Sequence, residues 1–462
     1  MTALESGAVH FMGVAGAGMC ALAELVARQG RKVSGCDLKP GHTVENLRGL
    51  GVTVHEGHDP SHLEGITSLV VSAAVPDSHP EVQAARKRDI PVMKRAKALG
   101  ACVNGGRVLA VAGTHGKTST SALAAELLKA ADLDPTGIVG GRVSAWGGHL
   151  LRGAGDLFVV EADEFDRSFL ELEPLVAIVT NIEADHLDTY GTLDGVMEAF
   201  GRFVESVPSE GRVIVCADDH GASRLLPQVG ARGYTYGTSA GAQLRAVDIR
   251  TGSDGTRFTV VEDGEAAGDF LVTSPGLHNL RNGLAAVAAA RYFGAEWAHI
   301  RDGLASYTGV ERRFERLGTE DGVDIVDDYA HHPTEIESAL AATRELFPDR
   351  RLVAVFQPHL YSRTRDFAVE FGRALSGADV AFVTDIFPAR EDPIPGVTGE
   401  LVATAVDTSS GTEVHYHPSL GPLPEALRAF LKEGDVLLTL GAGSIEEVGP
   451  RTKALLAGGR DA

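Results

Sequence analysis

Over its first hundred residues the chain alternates short apolar runs with longer amphipathic ones: AVHFMGV, MCALAELVARQG, KVSGCD, SLVVSAAV, EVQAARKRD and IPVM. The short runs suit buried strands, and the longer ones place their apolar residues on one helix face. Such alternation predicts a parallel sheet with helices on both faces. The polar turn Asn104-Gly105-Gly106 then separates this unit from the strand RVLAVAG. A second α/β unit continues through DLFVVEA, VAIVTN and RVIVCA. From about Gly241 to Thr273 short alternating segments such as RFTVVEDG and DFLVTS predict antiparallel hairpins on the same domain, which NLRNGLAAVAAARYFG closes as a helix. Beyond ERRFERLG a third alternation runs from DIVDDYA through ESALAATRELF, RLVAVFQ, RDFAVEFGRALSG, VAFVTDIF and EALRAFL to VLLTLGAGS. The expected fold is therefore α/β with three domains. These are a Rossmann-like N-terminal domain (1–104), a central P-loop-type ATPase domain with a mainly parallel sheet and a small antiparallel part (105–314), and a Rossmann-like C-terminal domain (315–462). Ligand crevices are expected at the C-terminal ends of the strands.

The length of 462 residues suits three domains, each able to bury a core. A net charge of −21 argues against nucleic acid as a partner, because phosphate backbones require a basic surface. Polyphosphate ligands must then be met by local Arg, Lys and backbone N–H groups. Cys20, Cys36, Cys102 and Cys216 form no C-x-x-C pair and read as reduced core residues, with neither a disulfide framework nor a zinc site indicated. The opening MTALESGAVHF lacks a basic region followed by a long apolar run, and no stretch approaches the roughly 20 apolar residues that span a bilayer. A cytoplasmic location without membrane insertion is expected.

The segment VLAVAGTHGKTST, Val108 to Thr120, carries the most specific chemistry. A strand runs into a glycine turn and a helix, SALAAELLKAAD, whose positive end faces an anion. Gly113 and Gly116 allow backbone N–H groups close to phosphate oxygens, with Thr114, His115 and Ser119 in the same turn. Lys117 can reach the β- and γ-phosphates, and Thr118 can offer its hydroxyl to Mg²⁺. The spacing is G-x-x-G-K-T, with Val111 in the place of the usual first glycine. Near the start, Gly13, Gly16 and Gly18, interleaved with Ala15 and Ala17, follow a strand and precede a helix, and Asp37 ends the next strand. This loop suits the diphosphate of NAD, FAD or a UDP-sugar, or serves only to pack helix on strand. A nicotinamide-dependent oxidoreductase would use it but would leave GTHGKTST without a role.

Glu161 ends the strand DLFVVE and His186 lies in the loop after VAIVTN. With Thr118 they are the predicted metal ligands, the oxygen donors being better suited to Mg²⁺ (or Mn²⁺) than the imidazole. In PGLHNLRN, His278, Asn279 and Asn282 offer paired donors and acceptors to an adenine edge, and Arg313 in ERRF offers a fork to phosphate. The competing roles are a helix N-cap and, for Arg312 or Arg313, a surface ion pair. In DDYAHHPTE and FQPHLYSRTRD, Asp328, Tyr329, His331, His359 and Arg363 follow two apolar strands and should share one sheet edge, where they could hold an amino acid by its charged ends. Helix capping by Asp328 or Thr334 is the alternative there.

Together HFMGVAGAGM, GTHGKTST, EADEFD, TNIEADHLD, PGLHNLRN, GVERRFERLG, DDYAHHPTE, FQPHLYSRTRD and GDVLLTLGAGS span nearly the whole chain. In these motifs the sequence resembles the Mur ligases, ATP-dependent amino-acid-adding enzymes of peptidoglycan precursor synthesis, and among them the alanine-adding branch. The resemblance implies UDP-N-acetylmuramate on the first domain at Gly13, Ala15, Gly16, Ala17, Gly18, Asp37 and Ser72, ATP on the second, and L-alanine on the third. It further implies an acyl phosphate intermediate and a closure motion before chemistry. Lys117, Glu161, His186, Arg313 and His359 would be the catalytic set, with His331 an alternative to His359 as general base. A ligase that attaches a ready-made tripeptide shares the first two signatures. Monomer and homodimer both remain open.

Three departures from the family pattern matter. Ala15 stands where the loop usually has glycine. Leu360 stands where many relatives have arginine, which moves an expected carboxylate contact to Arg363 or another group. No lysine occurs between Lys129 and Lys432, which excludes the carbamylated lysine of the later-acting ligases.

Overall fold

The structure, a computed structural model, describes residues 7–389, 391–406 and 410–458. The first six residues of the segment read for a leader, and the last four of the expected third domain, lie outside them. The chain divides into two compact units. One comprises Met1–Asp248, Phe258–Leu271 and Arg281–Val310, the other Ile249–Arg257, Val272–Leu280 and Glu311–Ala462.

The first unit opens with an all-parallel sheet in the spatial order Thr53–Glu56, Lys32–Asp37, Ala8–Met12, Ser68–Val71, Val92–Lys94. Strand order reverses between Ala8–Met12 and Ser68–Val71, so the crevice opens where Gly13 and Ser72 leave the sheet. Val9, Phe11, Met12, Leu69 and Val70 are fully buried, as a strand covered on both faces requires.

A ten-stranded sheet follows. In its parallel core Arg107–Ala112 is flanked by Val176–Val179 and Leu157–Glu161. Three strand ends therefore lie side by side, releasing the phosphate turn, Thr180 with Asn181, and Glu161. The sheet continues through Leu244–Gly252, Gly255–Glu262 and Glu265–Val272, successive neighbours joined by two-residue connections. Links that short permit only antiparallel hairpins, as the alternating pattern predicts.

In the second unit a six-stranded sheet has the order Glu315–Glu320, Val323–Asp328, Val436–Leu440, Leu352–Phe356, Val380–Val383, Glu413–Tyr416. Only the edge strand Glu315–Glu320 is antiparallel. Val323–Asp328 and Leu352–Phe356 both pair with Val436–Leu440, so the segments after them emerge at the same sheet edge as expected. Among the described residues no helix is long and apolar enough to cross a membrane.

Candidate active site

The phosphate turn is built by glycine geometry. Gly113 has φ +140° and a Cβ there would lie 1.9 Å from Thr180 Oγ1; Gly116 has φ +80° and a Cβ would lie 2.5 Å from Asn282 Oδ1. Positive φ and crowding together leave glycine as the residue that fits. The loop after Val176–Val179 straps the turn down. Thr114 N donates to Asn181 O (3.0 Å) and His115 N to Asn181 Oδ1 (2.8 Å). Thr180 Oγ1 donates to His115 O (2.7 Å), and Glu183 N to Thr114 Oγ1 (2.9 Å).

The helix begins at Lys117, four residues before the apolar periodicity that starts at Ser121, and runs to Ala130. Its first turn thus carries Lys117, Thr118 and Ser119 with their orphan N–H groups, which sharpens the anion-binding geometry.

The Lys117 ammonium donates to Gly113 O (2.6 Å), Thr114 O (3.1 Å) and Glu164 Oε1 (2.8 Å). Burial pulls its pKa down, but the carboxylates of Glu164, Asp163 and Glu161 outweigh that and raise it above the ordinary lysine value. Lys117 is therefore a fixed positive charge at the mouth of the turn. Thr118 Oγ1 donates to Glu161 Oε1 at 2.8 Å, and Gly140 N donates to Glu161 Oε2 at 2.5 Å. A hydroxyl and a carboxylate in contact are a donor set suited to a hard cation. His186 sits in the left-handed region (φ 53°), its ring edge-on to Phe165 and its Nε2 3.8 Å from Glu164 Oε1.

Glu164, Thr180 and Asn181 contact the phosphate turn, although motif reading alone did not single them out. Their signal was position, each lying just beyond an apolar strand that neighbours the phosphate strand. Nor did motif reading single out Arg95. A Cβ on Gly18 would lie 2.8 Å from its Nη1, and its Nη2 lies 3.5 Å from Asp163 Oδ2, so this arginine stands beside the N-terminal glycine loop.

At that loop Gly13 has φ +81°, and a Cβ would come within 3.0 Å of Ser72 Cβ. Asp37 turns back on the loop, accepting from Ala15 N (3.0 Å) and Lys39 N (3.0 Å). Ala15 fits because its N–H, not its side chain, makes the contact. Gly16 caps the helix Ala17–Arg28 without a side-chain bond.

In the second unit Asp328 ends its strand buried, accepting from Phe314 N (2.7 Å) and Ala330 N (2.8 Å). Burial raises its carboxyl to about 6, against the lowering pull of Arg313 and the two N–H donors. Helix capping falls instead to His332 and Glu335. The neighbouring arginines both lie over the Tyr329 ring, 5.2 and 5.0 Å from its centre, and Arg312 is in addition tied to Asp327 (2.8 Å), Glu446 (3.0 Å) and Gly441 O (2.6 Å).

Tyr329 and His331 rings meet at 5.2 Å, and His331 and His359 at 5.7 Å. Arg363, buried, is close enough to depress His331 further; burial is the main cause of a His331 pKa of about 3. Tyr329, His331, His359 and Arg363 are thus gathered as expected. Leu360 is buried with φ 68°, a strained backbone at the start of the helix Tyr361–Leu375. Asn279 gives its amide to Pro275 O (2.8 Å) next to His278, while Asn282 packs on Gly116 in the first unit.

Three family profiles match this chain: the Mur ligase family catalytic domain over residues 8–107, the Mur ligase middle domain over 111–290, and the Mur ligase glutamate ligase domain over 312–443. It is 44% identical over 438 residues to a UDP-N-acetylmuramate–L-alanine ligase of Salinibacter ruber, covering 95% of this chain and 92% of the relative. It is likewise 44% identical over 448 residues to one of Thiobacillus denitrificans, covering 96% and 97%. The crystal structure of a UDP-N-acetylmuramate–alanine ligase of Thermotoga maritima superposes with a TM-score of 0.85 at 27% identity, covering 98% of this chain and 100% of that one. A murein peptide ligase of Psychrobacter arcticus reaches 0.71 at 25% identity, covering 98% and 99%.

Proposed function

The chain belongs to the Mur ligase family, and from that premise we propose that it joins L-alanine to the lactyl carboxylate of UDP-N-acetylmuramate at the expense of ATP, a step of peptidoglycan precursor synthesis in the cytoplasm. The observation that carries this reading is the cluster of Lys117, Thr118 and Glu161 around one glycine turn. Residues 1–104 are assigned to the UDP-sugar, 105–314 to ATP and 315–462 to the amino acid.

The lactyl carboxylate oxygen attacks the γ-phosphorus, ADP leaves, and an acyl phosphate forms. The alanine amine then attacks the acyl carbon, and the tetrahedral intermediate expels phosphate as the amine gives up a proton. Both steps concentrate negative charge, so positioning and fixed positive groups supply most of the acceleration. Lys117 holds charge at the phosphates, and the orphan N–H groups of the helix's first turn face them. Thr118 and Glu161, both oxygen donors, would hold Mg²⁺, which neutralises phosphate charge when bound. His186, beside Glu164, is the proposed third ligand.

For alanine, Arg363 takes the carboxylate. His331, with a pKa of about 3, is too weak a base to keep an amine's proton at neutral pH, which leaves His359 as the acceptor. Phosphate release from ATP, Mg²⁺ and UDP-N-acetylmuramate tests the reading, with L-alanine, with the murein tripeptide or with neither. Turnover that needs free L-alanine is expected. Turnover with the tripeptide alone would transfer the chain to the peptide-attaching branch.

A further inference from the structure

Beneath the N-terminal glycine loop lies a second cluster to which the ligase chemistry gives no role. His10 and Cys36 come from adjacent strands, Ala8–Met12 and Lys32–Asp37, His62 from the 3₁₀ turn Pro60–Leu63, and Glu81 from the helix Pro80–Lys87. His10, Cys36 and Glu81 are fully buried, and His62 is 12% exposed at its side chain. One donor atom from each lies within 4.8 Å of every other.

The separations suit a tetrahedral ion. His10 Nε2 is 3.3 Å from Cys36 Sγ and 3.3 Å from Glu81 Oε1. Glu81 Oε1 is 3.6 Å from His62 Nδ1 and 3.8 Å from Cys36 Sγ. Zinc–ligand bonds of 2.0–2.3 Å imply edges of about 3.3–3.8 Å between ligand atoms.

A hydrogen-bond network alone accounts for these groups poorly. His62 Nδ1 is buried and has no hydrogen-bond partner, being too far from Glu81 for one. Among the described residues the only cationic partners of the buried Glu81 are imidazoles, with no lysine or arginine to balance it. The surrounding contacts also orient the donors. His10 Nδ1 lies 2.8 Å from Ser34 Oγ, whose oxygen can accept a hydrogen bond from Nδ1–H and so leave the Nε2 lone pair facing the cluster. His58 Nδ1 reaches Cys36 Sγ at 3.1 Å, and the His55 ring stacks on His62 at 4.1 Å.

We propose that His10, Cys36, His62 and Glu81 form a structural zinc site, with Cys36 bound as thiolate after losing its proton. Four protein ligands close the site, so no position is open for catalysis, and a sulfur–nitrogen–oxygen set prefers Zn²⁺ to Mg²⁺. Its role is to pin four elements under the loop that Gly13 and Val14 anchor on Cys36 O at 2.8 and 3.1 Å.

The test titrates the full-length protein, stripped by chelator, with Co²⁺ and then Zn²⁺. One equivalent of Co²⁺ is expected to give tetrahedral visible bands and a near-ultraviolet thiolate-to-cobalt charge-transfer band, both erased by one equivalent of Zn²⁺. Cys36→Ser should remove the charge-transfer band. His62→Ala, at the outer side of the cluster and less exposed to folding failure, should keep that band but bind at least tenfold more weakly. Absence of the band in the wild type, or wild-type affinity in folded His62→Ala, would overturn the site. Cobalt held by Thr118, Glu161 and His186 meets oxygen and imidazole nitrogen but no sulfur and gives no thiolate band, so the outcome is independent of the ligase reading.

Discussion

At the scale of single residues, two charged groups are set by their surroundings in opposite ways. Lys117 is held by two carbonyls and Glu164, so its charge is fixed before any ligand contact is considered. Lys117→Met is expected to lower phosphate release by at least about a hundredfold, the scale of losing one transition-state donor, while UDP-N-acetylmuramate binding by calorimetry stays within about twofold. Arg363→Ala should raise the KM for alanine far more than that for ATP in initial-rate assays; equal effects would indicate a structural role. Asp328 has the opposite character, an acid that burial keeps partly protonated. Its folded pKa of about 6 lies above the ordinary 3.8, so the unfolded chain ionises first. The stability it contributes is complete below about pH 4 and is lost as pH rises through about 6. Urea unfolding of Asp328→Asn against the wild type should therefore favour the wild type less at pH 7 than at pH 4. A pH-independent difference would remove Asp328 from that role.

At the scale of elements, the phosphate turn depends on its neighbours as much as on its own glycines. Gly116→Ala meets both a left-handed φ and the Asn282 amide, and is expected to cost about 1–3 kcal/mol in urea unfolding. Adding Asn282→Ala should return only the steric part, because the backbone strain remains. Strand ends were legible in the sequence: Asp37, Gly113, Glu161 and Asp328 each sit at or just after the end of an apolar run, where the structure has them. The shared edge of DDYAHHPTE and QPHLYSRTR followed from the same pattern. Partnerships across sequence did not. The Lys117–Glu164 bond joins positions 47 apart, and Asn181 reaches His115 across 66, separations that no local periodicity encodes. The helix start precedes the apolar periodicity for a similar reason. Lys117 and Thr118 are polar and carry no apolar period, yet the backbone there is already helical. Nor could spacing show that Arg312 and Arg313, adjacent in the chain, share the Tyr329 ring while Arg312 also pairs with Asp327. His10, Cys36, His62 and Glu81 were equally hidden, since four elements must fold before they meet.

At the scale of the molecule, a net charge of −21 sets the approach of anionic substrates. Raising ionic strength from about 0.01 to 0.15 M shortens the Debye length from about 30 to 8 Å. The KM values for ATP and UDP-N-acetylmuramate, at fixed Mg²⁺, should then fall about two- to tenfold, while that for zwitterionic alanine changes little. Unchanged values for the two anions would mean that local groups such as Lys117 and Arg95 already dominate their approach. The distribution of amines has a different consequence. From Ala98 to Leu431 the chain has only Lys117 and Lys129, whose side chains are 14% and 52% exposed. A general acylating reagent in solution will modify Lys129 and spare its paired, recessed neighbour. An acyl-phosphate nucleotide, which delivers its electrophile from the phosphate end, would reverse that preference, making Lys117 a covalent handle by which occupancy of the nucleotide site can be read in unfractionated protein.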